Sequence, residues 1–226
     1  SMKDDLNANY TLGNNINASS TAQFNNGSGF DPVGTAEFGT NNQEFKGALD
    51  GNNRTITGLT INRSDQGYVG LFGSFESGTV TNISLRGVAI TGDFETGGLV
   101  GETRGNSIIQ NVTISGTVNG TYDVGGLVGA AEDNTTMQTV TSSADITDNG
   151  GDSSAGGLVG GVGGEATLQD AKASGDVTGD GATGGLAGQN FGTIQNVTAT
   201  GSVTSVSSSF SSQQGGLVGR NRGTIQ

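Results

Sequence analysis

Four aspartates are the side chains of this chain that are best placed in the sequence to bind a cation. Asp145 and Asp176 stand at equivalent positions of two consecutive sequence repeats, and Asp170 and Asp180 lie nearby in the chain. If the repeats stack, the two equivalent carboxylates would lie about 5 Å apart and repel each other unless a cation lay between them. The four aspartates are therefore candidate calcium ligands. Solvated surface aspartates are the simpler and preferred interpretation, under which the chain has no metal and no cofactor.

The residue types that the chain lacks exclude most other site chemistry. It has no histidine and no cysteine among its 226 residues. Histidine-based catalytic triads, the usual zinc sites and near-neutral histidine switches are therefore excluded, and so are disulfide frameworks and thiol chemistry. No catalytic residue is predicted, and no residue stands out as a ligand-binding group.

The charge and hydropathy of the chain limit its partners. It has 21 Asp and Glu residues against 9 Lys and Arg, which gives a net charge of −12 at pH 7. Such a surface repels nucleic acids and anionic membranes, so neither is expected as a partner. The chain contains no run of about 18 apolar residues, so no membrane insertion is expected of this fragment.

A repeated glycine phrase indicates the architecture that must position these residues. Gly-Gly-Leu-Val-Gly is complete at Gly97–Gly101, Gly125–Gly129, Gly156–Gly160 and Gly215–Gly219, and related phrases stand at Gly70–Gly73 and Gly184–Gly188. The glycines before the leucines are 28, 28, 31, 28 and 31 residues apart. A fixed period of this length is typical of a stacked-repeat protein.

Each repeat contains three short strand-like pieces separated by Gly, Asn, Asp and Ser turns, and no window shows the apolar period of a helix. This pattern predicts an all-β fold, a right-handed parallel β-helix (β-solenoid) with coils of about 28 residues. Equivalent apolar residues should then stack into inward columns. Four columns begin at Val80, Ile83, Leu85 and Leu71, and a further column is predicted to contain Ala89, Val118, Ile146, Val177 and Val203.

Two polar features of the repeats have predicted places on this solenoid. Equivalent positions hold Asn82, Asn111, Thr139, Asp170 and Asn196. Because Asn suits a bend between strands, this row is predicted to form a ladder of side-chain hydrogen bonds along the stack. Insertions of three residues fall within Asp148–Ser154 and Ser205–Gln214. Such insertions are loops on one side of a solenoid, often the side that binds a ligand.

Two regions are predicted within one β-helix. Residues 1–67 lack the glycine phrase and are interpreted as an N-terminal cap with the first irregular coils, because a solenoid needs its open end covered. Residues 68–226 form the regular repeats. The last four residues, Gly223–Gln226, copy Gly192–Gln195, so we expect the repeats to be truncated there and the parent protein to continue beyond them.

The repeat resembles the GLUG repeat. The resemblance rests on the order Gly-Gly-Leu, then Gly-Thr-Ile-Gln-Asn-Val, then Gly-x-Val, and Gly184–Val203 matches it best. Phe45–Ile61 is similar to the segment that precedes such repeats. The resemblance implies a large secreted or cell-surface protein of bacteria or archaea, among them adhesin-like proteins and the non-catalytic forepart of some immunoglobulin-A-cleaving metallopeptidases. Those peptidases need a His-Glu-x-x-His zinc helix, which a chain without histidine cannot provide.

These observations predict a non-catalytic, extended segment of an extracellular or cell-surface protein. It would support adhesion or act as a rigid stalk, with a surface glycan or a matrix protein as its partner. One alternative is a polysaccharide lyase or hydrolase acting in a groove along the β-helix. Such enzymes use aspartate clusters with an Arg or Lys base, and here only Lys172 lies near the aspartates in sequence. The other alternative is a calcium- or salt-dependent self-association module.

Overall fold

The chain folds as a parallel β-solenoid. The computed structural model describes residues 1–35, 43–206 and 212–226. About six turns of about 29 residues stack on one another, with almost no helix. The predicted all-β architecture and coil length are thereby confirmed, while the right-handed sense stays a prediction.

Strands form where apolar and β-branched residues lie between the Gly, Asn and Asp turns. In chain order they are β1 (Asn9–Thr11), β2 (Ile16–Asn17), β3 (Ala48–Thr57), β4 (Thr60–Asn62), β5 (Phe72–Glu76), β6 (Thr79–Thr91), β7 (Thr96–Gly97), β8 (Val100–Arg104), β9 (Ile108–Gly120), β10 (Val124–Gly125), β11 (Val128–Ala131), β12 (Thr136–Asp148), β13 (Ser154–Gly156), β14 (Val159–Val162), β15 (Thr167–Ala173), β16 (Val177–Gly179), β17 (Ala182–Gly184), β18 (Ala187–Asn190), β19 (Thr193–Ala199), β20 (Val203–Ser205), β21 (Gln213–Gly215), β22 (Val218–Asn221) and β23 (Thr224–Ile225). A 3-10 segment, Ser19–Gly27, is interrupted by non-helical residues at Phe24–Asn26.

The strands form three sheets that run along the solenoid. Sheet 1 has the order β1-β3-β6-β9-β12-β15-β19-β23, with β2, β4, β16 and β20 attached to it. Sheet 2 is β7-β10-β13-β17-β21, and sheet 3 is β5-β8-β11-β14-β18-β22. All strand pairs in these sheets are parallel. Each regular coil therefore contributes one strand to each of sheets 2 and 3 and one or two strands to sheet 1.

The core is a stack of apolar columns, as the repeat pattern predicts. The column that begins at Val80 continues in register through Ile109, Met137, Leu168 and Ile194, and all five side chains are buried. The columns that begin at Ile83, Leu85 and Leu71 are likewise confirmed, with their last members, Val197, Ala199 and Leu217, only partly buried. Because every coil packs on its neighbours, a narrow continuous core forms in a chain of low apolar content.

The predicted membership of Ala89 in an inward column is wrong. Ile90 pairs with Val118, and Ala89 pairs with Thr117 on the exposed face. The register shifts between Leu85 and Val88, because this coil has one more residue than the next one at this point. Gly87 lies in the shifted segment with φ +60°, a left-handed conformation that glycine adopts without strain.

The predicted polar ladder lies at a bend of sheet 1. Its five residues have φ between 52° and 55°, which is the left-handed region that Asn tolerates. Asn111 Nδ2 donates to Asn82 Oδ1 at 3.0 Å, and Asn82 Nδ2 donates to Asp50 Oδ1 at 3.1 Å. Asn196 donates to Asp170 in the same way. The ladder is therefore confirmed, with Thr139 between its two hydrogen-bonded parts.

The glycine phrase serves close approach of neighbouring coils. A Cβ atom at Gly126, Gly157 or Gly185 would collide with the carbonyl oxygen of the equivalent glycine in the following coil. The leucine that follows donates its backbone N–H to the leucine carbonyl of the next coil, at 2.9 Å from Leu127 to Leu158. Glycine is thus required at this corner because backbone packs directly on backbone.

The first strands lie at one end of sheet 1, where β1 and β2 both pair with β3. The division of the chain at residue 67 stays a prediction. Of the two insertions, Asp148–Ser154 is described completely, whereas Ser205–Gln214 lies partly outside the described residues. Within the described ranges, no helix has the length and apolar character needed to cross a bilayer.

Candidate functional site: a polar groove between two sheets

Two of the four predicted calcium ligands are brought together. Asp145 and Asp176 occupy adjacent coils, on the exposed face of sheet 1 and its continuation. Asp145 Oδ1 accepts the backbone N–H of Asp176 at 3.0 Å, and Asp176 Oδ1 accepts the N–H of Ser202 at 2.9 Å. Each carboxylate is therefore stabilised by an amide of the following coil, which provides a structural role that needs no cation.

The other two aspartates lie elsewhere. Asp170 belongs to the polar ladder, where it accepts a hydrogen bond from Asn196. Asp180 lies near Asp148, and its Oδ1 atom is buried without a hydrogen-bond partner. Across the described residues, no group of three or more acidic, His or Cys side chains has the arrangement needed to hold a metal ion. Calcium binding by the four aspartates stays a prediction.

The first insertion folds over a buried carboxylate. Asp148 is buried and accepts hydrogen bonds from the Ser153 hydroxyl and from the Gly150 N–H at 2.9 Å. Burial raises the pKa of Asp148 to about 6, although these hydrogen bonds lower it, and Asp123 and Asp180 raise it further. The loop therefore has a defined conformation at the side of the solenoid where sheet 2 begins.

Acidic residues that the sequence did not single out are aligned on this side. Equivalent positions at the start of the sheet 2 strands hold Tyr68, Glu95, Asp123, Ser154, Ala182 and Gln213. Equivalent outward positions on sheet 3 hold Ser74, Glu102, Ala130, Gly161, Gln189 and Arg220. The two rows lie side by side across a groove, because a Cβ at Gly161 would be 3.7 Å from Asp123 Cγ.

Two carboxyl groups that each have a buried oxygen, those of Glu95 and Glu102, occupy one end of the groove. Glu102 is only 4% exposed, and its Oε1 atom accepts a hydrogen bond from Arg104 Nε at 2.9 Å and forms an ion pair with Arg104 Nη2 at 2.9 Å. Its Oε2 atom is buried without a partner, and so is Oε2 of Glu95. Burial raises the pKa of Glu102 to about 7, with Arg104 opposing the rise. Burial, together with the charges of Glu102 and Asp123, raises the pKa of Glu95 to about 8.

A hydrogen-bonded chain crosses the middle of the groove. Gln189 Nε2, on sheet 3, donates to Ser154 Oγ at 2.7 Å, and the Ser154 hydroxyl in turn hydrogen-bonds the Asp123 carboxylate. Burial raises the pKa of Asp123, and the Ser154 hydrogen bond lowers it. Three coils thus contribute one polar side chain each to a single network.

The groove opens into a cleft at this network. The cleft has a volume of about 540 Å³, and Tyr122, Phe191, Asp123, Ser154 and Gln189 are among its lining residues. The Tyr122 and Phe191 side chains are 54% and 43% exposed. A second cleft of about 370 Å³ adjoins it, since both are lined by Asp152 and Gln189, and it extends to Arg220.

One row of the groove has a recurring position in the sequence, but its significance becomes clear only when the strand register is known. Glu95 and Asp123 each stand two residues before a glycine phrase, and Ser154 does so in the next repeat. Glu102 and Gln189, by contrast, share no residue type with the members of their own row. Their common outward position follows from strand pairing and could not be recognised from composition.

Comparisons with known proteins agree with the repeat pattern. The profile described as the GLUG motif matches residues 151–178 and 179–204. Halomucin of Haloquadratum walsbyi is 39% identical over 113 residues, which is 49% of this chain and 1% of halomucin. An Evansella cellulosilytica protein described as a Gly-rich membrane protein is 42% identical over 91 residues, which is 39% of this chain and 10% of that protein.

A solved structure has the same fold. It is from Bacteroides ovatus, is described as an immunoglobulin A1 protease, and superposes with a TM-score of 0.57 at 15% identity over 96% of this chain and 77% of its own. At this identity the likeness concerns the fold alone. The chain spans only a small part of the curated relatives that it matches. The chain therefore carries two adjacent GLUG motifs, at residues 151–178 and 179–204, within a fold that is a parallel β-solenoid.

Proposed function

We propose that this chain is a non-catalytic, rigid segment of a secreted or cell-surface protein and that it supports adhesion. The relatives favour this role, because one is described as a membrane protein and the matched stretch is a small part of each much longer protein. In such a protein, a solenoid would hold a binding surface or a further domain at a fixed distance from the cell.

The observation that carries the proposal is the continuity of the backbone ladder. Sheet 1 extends from β1 to β23, and sheet 3 extends through six strands. At the corner between sheets 2 and 3, backbone N–H groups join Leu99, Leu127, Leu158, Leu186 and Leu217 in succession at 2.8–3.0 Å. Because parallel strands lie about 4.8 Å apart, six such turns form a stiff segment roughly 30 Å long.

A hydrolase acting on polysaccharides is a second candidate, and one observation favours it. Glu95 and Glu102 have pKa values raised to about 8 and about 7, which is the range of a general acid. Glu102, however, is covered and paired with Arg104. The covered position favours a structural carboxyl group over one that reaches a substrate.

Two measurements on the purified chain test the proposal. Small-angle scattering should give the profile of a compact, rigid particle, and beads coated with the chain should adhere to a subset of a glycan and matrix-protein array. A flexible-chain profile would refute the rigid role. Release of new reducing ends or unsaturated uronides from polysaccharides would refute the non-catalytic role, and the Glu95→Gln and Glu102→Gln variants would then identify the acid.

A further inference from the structure

We infer that the cleft around Asp123, Ser154 and Gln189 is a binding site for a neutral oligosaccharide. The inference rests on the proposed role in adhesion and names the surface and the ligand class that would serve it. Three independent features of the cleft support it, namely its hydrogen-bonding network, its exposed aromatic rings and its open glycine floor.

The network presents the groups that hydrogen-bond sugar hydroxyls. A carboxylate accepts, a hydroxyl both donates and accepts, and an amide does both through separate atoms. In the cleft, Asp123 supplies a carboxylate and Gln189 an amide, and the Ser154 hydroxyl contacts both side chains and so orders them. Ser154 is only 2% exposed, so the network is anchored in the wall of the groove. Preordered polar groups in a concave site give orientation to a bound ligand.

Exposed rings accompany these polar groups. Tyr122 and Phe191 both line the same cleft, and they are among the few large apolar side chains that the described surface exposes. The guanidinium of Arg222 lies 5.8 Å from the centroid of the Phe191 ring and so supports one side of it. A ring with an apolar face beside hydrogen-bonding groups matches a pyranose, which has an apolar C–H face and polar edges.

The floor of the cleft is free of side chains. Gly161 follows Ala130 in the outward row of sheet 3 and precedes Gln189. The atoms nearest to a Cβ at Gly161 would be those of the Asp123 carboxylate, at 3.7–3.8 Å, and a Cβ at Gly164 would meet nothing within 4 Å. A ligand can therefore approach the backbone, and a large side chain at Gly161 would occupy its place.

The acidic lining of the cleft disfavours an anionic ligand. Asp123, Glu132 and Asp152 line it, and none of the described residues that line it is Lys or Arg. An anionic polymer such as a polyuronate would be repelled from three carboxylates. The site therefore differs from the anion-binding grooves that a lyase of uronates would need.

The test measures binding of neutral hexasaccharides to the whole chain by two-dimensional amide NMR titration. The probes are cellohexaose, maltohexaose, mannohexaose and N-acetylchitohexaose, with hexagalacturonate and chitosan hexamer as charged comparisons. We expect at least one neutral probe to shift amides around Ser154, Gly161 and Gln189. Gly161→Leu should weaken that binding at least tenfold, whereas the matched Gly13→Leu, on an exposed glycine outside the cleft with nothing within 4 Å of its Cβ position, should not change it.

Further variants keep the test decisive if Gly161→Leu does not fold. Tyr122→Ala and Asp123→Asn change side chains at the rim and in the network, and each should weaken binding several-fold while the chain stays folded by circular dichroism. The inference is overturned if no neutral probe binds at millimolar concentration, if binding survives both variants, or if only a charged hexamer binds. Each of these results would leave the scattering profile, and hence the rigid-segment role, unaffected.

Discussion

On the outer face of sheet 1 and its continuation, Asp145 and Asp176 are exposed, and each accepts a hydrogen bond from a backbone amide of the following coil. On the groove side, Glu95 and Glu102 each have a buried oxygen without a partner, and burial raises the pKa of both. Both pairs of carboxyl groups lie on one stacked scaffold. Carboxyl groups of neighbouring repeats thus have very different surroundings, and at Glu95 and Glu102 it is burial that raises the pKa.

The largest loss of stability is expected where a carboxylate is placed out of reach of both solvent and amide donors. Leu127 is completely buried between equivalent leucines. Leu127→Asp should therefore lower the free energy of unfolding by several kcal/mol, roughly 4 kcal/mol or more. Chemical denaturation measures this loss, with Leu127→Met as the apolar control, expected to cost less than about 1.5 kcal/mol. A Leu127→Asp variant as stable as the wild type would contradict the inward column.

The glutamates of the groove should make the free energy of unfolding depend on pH. Glu95 and Glu102 bind a proton more tightly in the folded chain, since their pKa values rise from 4.5 to about 8 and about 7. Their contribution to stability is complete below about pH 4.5 and is lost as the pH rises through 7 and 8. The free energy of unfolding should therefore fall between pH 5 and pH 9, on the order of 3 kcal/mol.

Denaturation at constant ionic strength measures this fall. Glu95→Gln and Glu102→Gln, which replace each acid with a neutral group of the same shape, should flatten the curve. Leu127→Met, which removes no ionisable group, should retain the wild-type slope. A stability that stays constant or increases from pH 5 to pH 9 would show that the two glutamates are charged throughout.

A further prediction concerns the bend of sheet 1 that holds the polar ladder, where Thr139 is the residue least suited to the left-handed conformation. This β-branched residue has φ 55°, whereas Asn occupies the equivalent left-handed positions at Asn82, Asn111 and Asn196. Thr139→Asn should relieve the strain and stabilise the chain by about 1 kcal/mol. The reverse change, Asn111→Thr, should destabilise it by a similar amount. Thermal melting compares the two, and equal melting temperatures would mean that the ladder amides contribute nothing.

The smallest effect is expected at the exposed aspartates themselves. Because Asp176 is exposed and its carboxylate accepts one amide, Asp176→Ala should cost less than about 1 kcal/mol. Addition of a chelator should leave the melting temperature of the wild type unchanged. A chelator-dependent drop in melting temperature that Asp176→Ala abolishes would instead identify a bound calcium ion.

Part of the architecture could be predicted because the repeat makes it redundant. Five or six equivalent copies define each inward column, so a single substitution such as Ser142 in the column of Leu85 and Ile114 does not obscure it. The predicted inward position of Ala89 is wrong because the irregularity that moves it occurs in one coil and has no repeated copies. One additional residue between Leu85 and Val88 shifts the register in a single coil, and the pattern of that coil alone permits either alignment.

The groove could not be predicted from the same pattern. Glu95 and Glu102 are seven residues apart and belong to different sheets, and Gln189 joins Ser154 from the following coil. Their proximity depends on the sharp corner that the intervening glycines allow and on the stacking of whole coils. The glycine phrase marks the corner, but no local signal distinguishes an outward residue of sheet 3 beside that corner, such as Glu102, from one that faces open solvent.

The coil length, the stacking of the leucines and the Asn ladder could be predicted from the sequence, because each depends on a residue type that recurs at a nearly constant interval. Only the tertiary structure decided which carboxyl groups are buried, which accept an amide and which line a cleft. The physical reason is that burial and hydrogen bonding in a solenoid arise between coils, where residues 26 to 35 positions apart in the chain meet.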